Sequence, residues 1–575
     1  MPYRSPVAEY KFVLAHVVGF EDVSSTETFA EATPDTVDAI LTEVGKLAED
    51  KLAPLNRNGD LYPAQLENGV VRTSKGFADG YAAIAEGGWI GLSAPADHGG
   101  MGLPLTLTCA VNDIFSGANM ALGLNPLLTQ GQIEALEHHA PDWMKELYLP
   151  KLISGEWNGT MNLTEPQAGS DVGALSTKAV PNGDGSYAIS GQKIFISWGD
   201  HDLGGNVCHA VLARLPDAAP GTRGISLFMV PKYIPNEDGS LGDLNALRVV
   251  SLEHKMGIHG SPTCVMEYTD ATGWLIGEED KGMAAMFTMM NNARLAVGMQ
   301  GIGIADGALQ HAQAYALDRK QGRTPLHGTP ENTGAIVDHA DVRRMLATMK
   351  ADTFAARAIA LACGVALDMS KATGDKGWEA RGAFLTPIAK TFGTEVGISV
   401  AELGVQVHGG MGFIEETGAA QFSRDVRVTA IYEGTNGIQA MDMVARKMMD
   451  GGEMANTLID EIESFAETAR SDLPDLGGAV WNAAETLREA TEWMTEQGAL
   501  NDRFAGAIPY VMGFARVLGA HYHLRAAMAE GGEGPRTRLA KFYITRLLPE
   551  HVGHLAHATC GADDLYALTT EDLTA

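Results

Sequence analysis

The sequence predicts a multi-domain α+β fold: an N-terminal helical domain, a middle β domain, a C-terminal helical bundle and an extra C-terminal helical domain. Three changes of pattern along the chain support this order. Helical periodicity comes first, alternation of apolar and polar residues with hairpin turns follows, and long apolar-periodic stretches then return. The domain boundaries that we predict are 34–155, 156–278, 279–452 and 453–575.

The N-terminal helical domain opens at Pro34, because proline suits the first turn of a helix and an amphipathic run, Thr36–Leu52, follows it. Glycine-rich turns, such as the one that ends at Gly100, separate this run from later helices. We predict those helices at Ser74–Glu86, Leu105–Ala121 and Pro141–Leu152.

The middle β domain is indicated by Ser186–Ser190 and Lys193–Ser197, which alternate apolar and polar residues as half-buried strands do. The turn Asn182–Gly185 precedes them and is typical of a hairpin. Further strands are predicted at Ala210–Leu215, Ile225–Pro231 and Arg248–Glu253.

The third and fourth domains are helical. Apolar residues recur with helical spacing through Gly282–Arg319, Gly334–Met369 and Arg381–His408. Thr435 and Asn436 form a favourable N-cap pair for a helix over 437–450. The chain beyond about 455 is predicted to form further helices.

The composition fits a globular enzyme in a reducing compartment. Hydrophobic residues make up 45% of the 575 positions, and the net charge of −30 opposes binding to nucleic-acid phosphates. The five cysteines are widely spaced, so neither a disulfide framework nor a zinc site is predicted. Met1–Phe20 lacks the apolar core of a signal peptide, and no run of about 18 apolar residues occurs. We therefore expect a cytoplasmic enzyme without a membrane span.

The first chemical motif is the loop Met161–Gly173, which follows a strand predicted to end at Thr164. It contains the run Thr-Glu-Pro-Gln-Ala-Gly-Ser-Asp, whose backbone N–H groups and hydroxyls suit a flavin edge or a pyrophosphate. A plain strand-to-turn connection with Ser170 as a cap explains the same residues and is favoured on this segment alone.

The second motif is Lys193–Gly199. Phe195 and Ser197 lie two residues apart, so they share one face of a strand. A flavin ring needs a flat apolar surface and a nearby donor, which these two side chains offer. Ordinary core packing of Phe195 is the more common arrangement.

The third motif is Gln406–Gly412, which holds three glycines in four residues and so allows the backbone to approach a ligand closely. The simpler interpretation is that a helix ends at Gly409. A structural role is favoured for His408.

The fourth motif is Ala430–Gln439, in which Glu433 lies between an apolar approach and the start of a helix. A desolvated carboxylate has a raised pKa and is a usable base near neutral pH. A carboxylate placed favourably at a helix N-terminus explains the residue equally well.

Together, the four motifs resemble the acyl-CoA dehydrogenase family in order, spacing and surrounding pattern from about residue 35 to 450. The Thr-Glu-Pro-x-Ala-Gly-Ser-Asp and Tyr-Glu-Gly-Thr runs are specific when they occur in this order. The opening Met1–Val7, Gly437 and the C-terminal extension further resemble bacterial 3-(methylthio)propionyl-CoA dehydrogenases.

The resemblance assigns roles to particular residues. The residues implied to bind FAD are Leu163 (through its backbone), Thr164, Ser170, Phe195, Ser197, Arg319, Gln406, Gly409, Gly410 and Thr435. Those implied to bind the acyl-CoA substrate are Ser170, Arg294, Glu433 and Gly434, with Glu433 as the catalytic base. Arg319, Gln406, Gly409 and Gly410 correspond to a cofactor site that reaches a neighbouring subunit, so a homodimer or a larger homo-oligomer is implied.

Some positions depart from the family pattern. Met161 stands where an aromatic is frequent, Phe195 where tryptophan is common, and Gln321–Arg323 where Thr-Phe-Gly is usual; Gly437 replaces a frequent glutamine. These changes leave the reaction implied by the resemblance intact, but the family's cofactor contacts and acyl-chain fit do not carry over at these positions. Three histidines at 551, 554 and 557 have a spacing that marks a helix face more often than a metal site, and we predict no metal.

The implied reaction is α,β-dehydrogenation of an acyl-CoA to the 2-enoyl-CoA, with the Glu433 N–H and an FAD hydroxyl polarising the thioester carbonyl. We expect 3-(methylthio)propionyl-CoA to give 3-(methylthio)acryloyl-CoA in dimethylsulfoniopropionate catabolism, with an electron-transfer flavoprotein as acceptor. The alternatives are a medium- or long-chain fatty acyl-CoA dehydrogenase and an acyl-CoA oxidase. A non-catalytic, nucleic-acid-associated relative is disfavoured by the acidic C-terminal region.

Overall fold

The structure is a computed structural model that describes residues 3–324 and 333–575. These residues form two compact units. Unit 1 comprises Tyr3–Thr42 and Arg294–Ala575, and unit 2 comprises Glu43–Ala293. The predicted order of helices, a β region, a helical bundle and further helices is confirmed.

The α-helices are numbered in chain order. They are α1 Val7–His16, α2 Phe20–Ser24, α3 Pro34–Leu47, α4 Ala53–Leu61, α5 Phe77–Glu86, α6 Leu105–His139, α7 Asp142–Ile153, α8 Gly282–Asp318, α9 Ala340–Thr373, α10 Lys376–His408, α11 Ala419–Val426, α12 Asn436–Asp442, α13 Glu453–Ala469, α14 Pro474–Glu496, α15 Leu500–Ala505, α16 Ala507–Ala529, α17 Pro535–Arg546, α18 Glu550–Ala558, α19 Asp563–Ala567 and α20 Thr570–Thr574.

The strands lie in unit 2 and are β1 Gln65–Glu67, β2 Val70–Arg72, β3 Asn158–Asn162, β4 Lys178–Pro181, β5 Tyr187–Ser197, β6 Val207–Ala213, β7 Ser226–Pro231, β8 Tyr233–Pro235, β9 Leu241–Leu244, β10 Leu247–Leu252 and β11 Thr263–Ile276. The main sheet has the order β3-β6-β7-β11-β5-β4, and β10 also pairs with β11. Strands β3 and β6 are parallel, whereas the other pairs in this sheet are antiparallel.

The main sheet differs from the sequence prediction at β5 and β11. The two strands predicted around Ser190 and Lys193 are one strand, β5, because the residues between them continue the ladder with β11. Strand β11 was not predicted, although it is central. Its register shifts twice along β5 and Asp270 has a φ of +55°, so the alternation that identifies a strand is interrupted.

The helix that we predicted to end at Ala121 continues to His139 as α6. Asn119 leaves the helical conformation, with φ −162° and ψ 86°, and so marks a kink. Its Oδ1 accepts a hydrogen bond of 3.1 Å from the N–H of Leu122, which caps the second half of the helix. The side chain that breaks the helix therefore also restarts it.

A buried ion pair connects the loop after β3 to strand β5. The side chains of Glu165 and Lys193 are 2% and 0% exposed, and Lys193 Nζ lies 2.9 Å from Glu165 Oε1. The N–H and hydroxyl groups of Ser176 and Thr177 also donate to the Glu165 carboxylate, at 2.6–3.0 Å. Lys193 donates a second hydrogen bond of 2.9 Å to the carbonyl of Leu163. The pair thus fixes the loop that carries the first motif.

In unit 1, α16 packs on both α9 and α10, α17 packs on α9, and α13 packs on α10. Arg516 on α16 forms ion pairs with Asp352 on α9 and, at 2.7 Å, with Glu550 on α18. Burial raises the pKa of Asp352 and the charge of Arg516 opposes this shift. Because a buried charge without its partner is costly, this cluster stabilises the attachment of the C-terminal helices to the bundle.

Helix α9 is long and apolar enough, by length and composition alone, to cross a membrane, and it is the one helix of this kind among residues 3–324 and 333–575. Most of its apolar segment is buried inside the protein, as in a core helix.

We predict that Glu165→Ala lowers the free energy of unfolding by about 3–5 kcal/mol, because Lys193 then stays buried without its carboxylate. Burial alone would raise the pKa of Glu165, but the charge of Lys193 and hydrogen bonds from Thr177 and Ser176 lower it from 4.5 to about 2. The contribution of Glu165 should therefore be present above the ordinary carboxyl range and be lost as the pH falls toward 2.

Thermal unfolding of the variant and the wild type between neutral and acidic pH measures this effect. The difference in Tm should shrink as the pH falls. Glu237→Ala, at an exposed glutamate of the same unit, is the control and should leave Tm unchanged. Equal Tm values for Glu165→Ala and wild type at neutral pH would contradict the prediction.

Candidate active site

Glu433 lies in a tight turn of unit 1 that ends where α12 begins. Its φ is +56°, and the φ of the next residue, Gly434, is +85°. The left-handed conformation is uncommon for glutamate and costs about 1–3 kcal/mol. It therefore requires contacts that hold the turn in place.

Both sides of the turn carry such contacts. Before it, the hydroxyl of Tyr432 donates to the Gln300 side-chain oxygen on α8. After it, Thr435 caps α12 by accepting a 3.2 Å hydrogen bond from the N–H of Ile438, as the N-cap prediction requires. A Cβ at Gly434 would lie 2.6 Å from Gln439 Nε2, so both the backbone angle and the space favour glycine.

Glu433 is half-buried, and its carboxyl interacts with the charges of two buried cations, Arg294 and Lys390. Burial raises its pKa to about 7, and the charges of Arg294 and Lys390 oppose this rise. Arg294 is itself buried, which lowers its pKa, while Asp442 and Glu433 act in the opposite direction. The structure thus brings two predicted site residues, Arg294 and Glu433, into one charged cluster, with a carboxyl that titrates near neutral pH.

The predicted cross-subunit residues lie at the ends of α8 and α10. Arg319 is exposed directly after α8, and Gln406 is exposed in the last turn of α10. The chain leaves α10 at Gly409, whose φ is +59°, and a Cβ at Gly409 or Gly410 would meet no atom within 4 Å. This open backbone is compatible with both earlier interpretations, the end of a helix and the close approach of a ligand.

His408 has structural contacts, as favoured from the sequence. It is buried, its Nδ1 lies 2.7 Å from the carbonyl oxygen of Gly404, and its ring stacks on Tyr315 at 4.4 Å and on His311 at 4.6 Å. Since Tyr315 lies one turn before Arg319, this stacking holds the ends of α8 and α10 together.

In unit 2, the first two motifs meet through backbone hydrogen bonds. The N–H of Ile194 donates to the carbonyl of Thr164 at 2.9 Å, beside the bond from Lys193 to Leu163. Ser170 is exposed farther along the loop. The structure therefore brings Leu163 and Thr164 next to the strand that carries Phe195.

Phe195 departs from the regular strand that we predicted. Its φ is +60°, and β5 has one extra residue there, because Lys193 pairs with Met266 and Ile196 with Cys264. This bulge turns the ring outward, so that Phe195 is 60% exposed, while Ser197 is half-buried. Core packing of Phe195 is thus wrong, and the ring presents an apolar surface.

Lys390 was not singled out from the sequence, and the supporting contacts of Glu165, Lys193 and Asn436 were not predicted, although these three residues lie in the quoted motifs. Lys390 interrupts the apolar run of α10, and this single charge among buried residues was the available signal. Glu165 belongs to the first motif, whose backbone N–H groups and hydroxyls were expected to bind the cofactor.

The three histidines near the C-terminus do not form a recognisable ligand set. His551 is buried on α18, with its Nδ1 2.5 Å from the carbonyl oxygen of Leu548. Among the residues that the structure describes, no group of three or more His, Cys, Asp or Glu side chains is placed to hold a metal ion.

Four family models match the chain. They are the acyl-CoA dehydrogenase N-terminal domain over residues 34–156, the middle domain over 160–271 and the C-terminal domain over 280–449, followed by the acetyl-CoA dehydrogenase C-terminal-like domain over 458–569. The matches follow one another in the same order as the four predicted regions.

The chain is 46% identical to 3-methylmercaptopropionyl-CoA dehydrogenase of Ruegeria pomeroyi over 89% of this chain and 88% of that protein. It is 37% identical to a butyryl-CoA dehydrogenase of Syntrophomonas wolfei, over 81% of this chain and 79% of the relative. The structure of Caenorhabditis elegans ACDH-11 in complex with C11-CoA has the same fold, with a TM-score of 0.78, 20% identity and coverage of 91% and 88% of the two chains. The chain therefore belongs to the acyl-CoA dehydrogenase family.

Proposed function

We propose that this chain catalyses the FAD-dependent α,β-dehydrogenation of 3-(methylthio)propionyl-CoA to 3-(methylthio)acryloyl-CoA, with Glu433 as the base. The observation that carries the proposal is the Glu433 turn: a carboxyl with a pKa near 7, held in a left-handed conformation beside two buried cations. The choice of substrate is supported by the 46% identity to the Ruegeria enzyme along almost the full length of both chains.

The residues of unit 2 fit a flavin. The exposed Phe195 ring offers a flat apolar surface, and the neighbouring backbone of Leu163 and Thr164 is held in place by Lys193 and β5. These residues, with Ser197, would hold the isoalloxazine ring, and Ser170 would contact the pyrophosphate and the CoA. When bound, FAD would supply the acceptor for the hydride that leaves the β-carbon.

Residues of unit 1 fit the proposed cross-subunit binding of FAD. Arg319, Gln406, Gly409 and Gly410 would bind the FAD of a neighbouring subunit, since a guanidinium pairs with a diphosphate and the open glycine backbone admits a ligand. Because these residues would bind the FAD of another subunit, this assignment requires a homodimer or a dimer-based oligomer. Thr435 would also contact FAD.

Glu433 would remove the α-proton of the thioester. A base whose pKa is near the working pH combines a large ionised fraction with a useful proton affinity. Its backbone N–H would donate to the thioester carbonyl and so stabilise the negative charge that develops there. Arg294 and Gly434 would line the same substrate site.

The electron acceptor, the metabolic role and the cellular location complete the proposal. An electron-transfer flavoprotein would take the electrons, and the reaction would serve dimethylsulfoniopropionate catabolism in the cytoplasm. Release of electrons to O₂ would instead define an acyl-CoA oxidase, and hydrogen peroxide formation without an added acceptor distinguishes the two.

Replacing the base tests its role. Glu433→Gln should lower the rate of flavin reduction by about 100- to 10,000-fold, because an amide does not accept the proton. In the wild type, kcat/KM should rise with pH through a midpoint near 7, as Glu433 ionises. Anaerobic stopped-flow absorbance measures the rate of flavin reduction, and a steady-state assay with an added electron acceptor measures kcat/KM. The flavin content of the variant is the control. A variant that reduces its flavin at the wild-type rate would remove Glu433 from the role.

Replacing Arg319 tests the proposed cross-subunit cofactor site. Arg319→Ala should lower the ratio of flavin to protein that survives dialysis, because a diphosphate partner is lost. Arg344→Ala, at an exposed arginine of the same unit that pairs with Asp341 at 2.8 Å, is the matched control. Equal retention of flavin in the two variants would count against the assignment.

The acyl group is tested by direct comparison. Under identical conditions, kcat/KM should be highest for 3-(methylthio)propionyl-CoA and lower for butyryl-, octanoyl- and palmitoyl-CoA. Butyryl-CoA is the informative competitor, because it is the closest in length and lacks the sulfur. A higher kcat/KM for any of the three fatty acyl-CoA substrates would contradict the proposed substrate but not the proposed reaction class.

A further inference from the structure

Lys390 is a buried lysine in the apolar stretch of α10. Its side chain has no solvent exposure, and its Nζ donates a 2.8 Å hydrogen bond to Asn436 Oδ1. Burying an ammonium group is costly, so its environment must compensate for the lost water. That environment is the beginning of α12, three residues after Glu433.

Asn436 also forms hydrogen bonds with two other residues of α10. Its Nδ2 donates to Glu395 Oε1 at 2.7 Å and to Thr394 Oγ1 at 3.0 Å. The residue therefore contacts three positions on one helix through a single side chain. With Tyr432 held by Gln300 on α8, the Glu433 turn is tethered on both sides.

Lys390 also contributes charge. Burial lowers its pKa to about 8, while Glu433 and Glu395 act in the opposite direction and Arg294 adds to the lowering. The group is therefore mainly cationic at neutral pH. The other charges near Glu433 are those of Arg294 on α8 and, facing Arg294, Asp442 and Arg446 after the turn.

We propose that Lys390 is a positioning residue for the dehydrogenation. Through Asn436 it fixes the turn that carries Glu433, and its buried charge favours the carboxylate form of that base. The proposal rests on the assignment of Glu433 as the base in the proposed function.

Two variants separate the two effects. Lys390→Met removes both the donor and the charge and keeps a similar length. Lys390→Gln removes the charge and keeps an N–H donor for Asn436, and it serves as the second variant if the methionine variant does not fold. Lys376→Met removes an 88% exposed lysine from the same helix and is the matched control.

The direct readout is the protonation of Glu433. The infrared carbonyl band of its protonated carboxyl is identified by difference against Glu433→Gln and is followed with pH in the protein with and without FAD. Both Lys390 variants should raise the midpoint by about one pH unit, because a nearby cation no longer stabilises the carboxylate. This readout needs no turnover, so it tests Lys390 even if no acyl-CoA reduces the flavin.

The second readout is kcat with acyl-CoA. Lys390→Met should lose about 10- to 100-fold in kcat with a smaller change in KM, because the base is displaced. Lys390→Gln should lose less at high pH, and Lys376→Met should match the wild type in both readouts. An unchanged Glu433 midpoint in the folded Lys390 variants, or wild-type kcat in Lys390→Met, would overturn the proposal.

Discussion

The proposed chemistry depends on one carboxyl, that of Glu433, whose pKa is set by two opposing effects, burial and neighbouring positive charge. Burial raises the proton affinity of Glu433, and two buried cations, Arg294 and Lys390, lower it. With burial alone the carboxyl would be protonated at neutral pH and unable to act as a base. With full solvation it would be ionised but too weak a base for an α-proton. The pKa near 7 results from both effects.

The fold class, the order of the motifs and the position of Glu433 could be predicted from the sequence, because these features depend on local patterns. Helical periodicity, a hairpin turn and a carboxylate before an N-cap are properties of neighbouring residues. The Phe195 bulge and the Lys390–Asn436 bond were not predictable in the same way. The first depends on the register of β5 against β11, some 70 residues away, and the second joins positions 46 residues apart.

The departures from prediction share a physical cause. Asn119, Phe195 and Asp270 leave the conformation that their neighbours favour, as Glu433 does in its turn, and three of these four residues adopt a positive φ. Patterns of hydrophobicity report which residues are buried on average but not where the backbone is bent by tertiary contacts. In this chain, two of these four residues, Phe195 and Glu433, are also candidate site residues, as expected when strain is retained where chemistry requires it.

A buried lysine supports the candidate site residues in each unit. Lys193 joins Glu165 and the carbonyl of Leu163 in unit 2, and Lys390 joins Asn436 in unit 1. A lysine suits this role because its single Nζ offers three donors at the end of a long apolar stem, so it can pass through a core and bond groups of a turn on the far side. Neither lysine is among the residues implied to bind FAD or the acyl-CoA substrate. Each lysine would therefore act on the proposed site residues of its own unit through hydrogen bonds and charge, without binding the substrate itself.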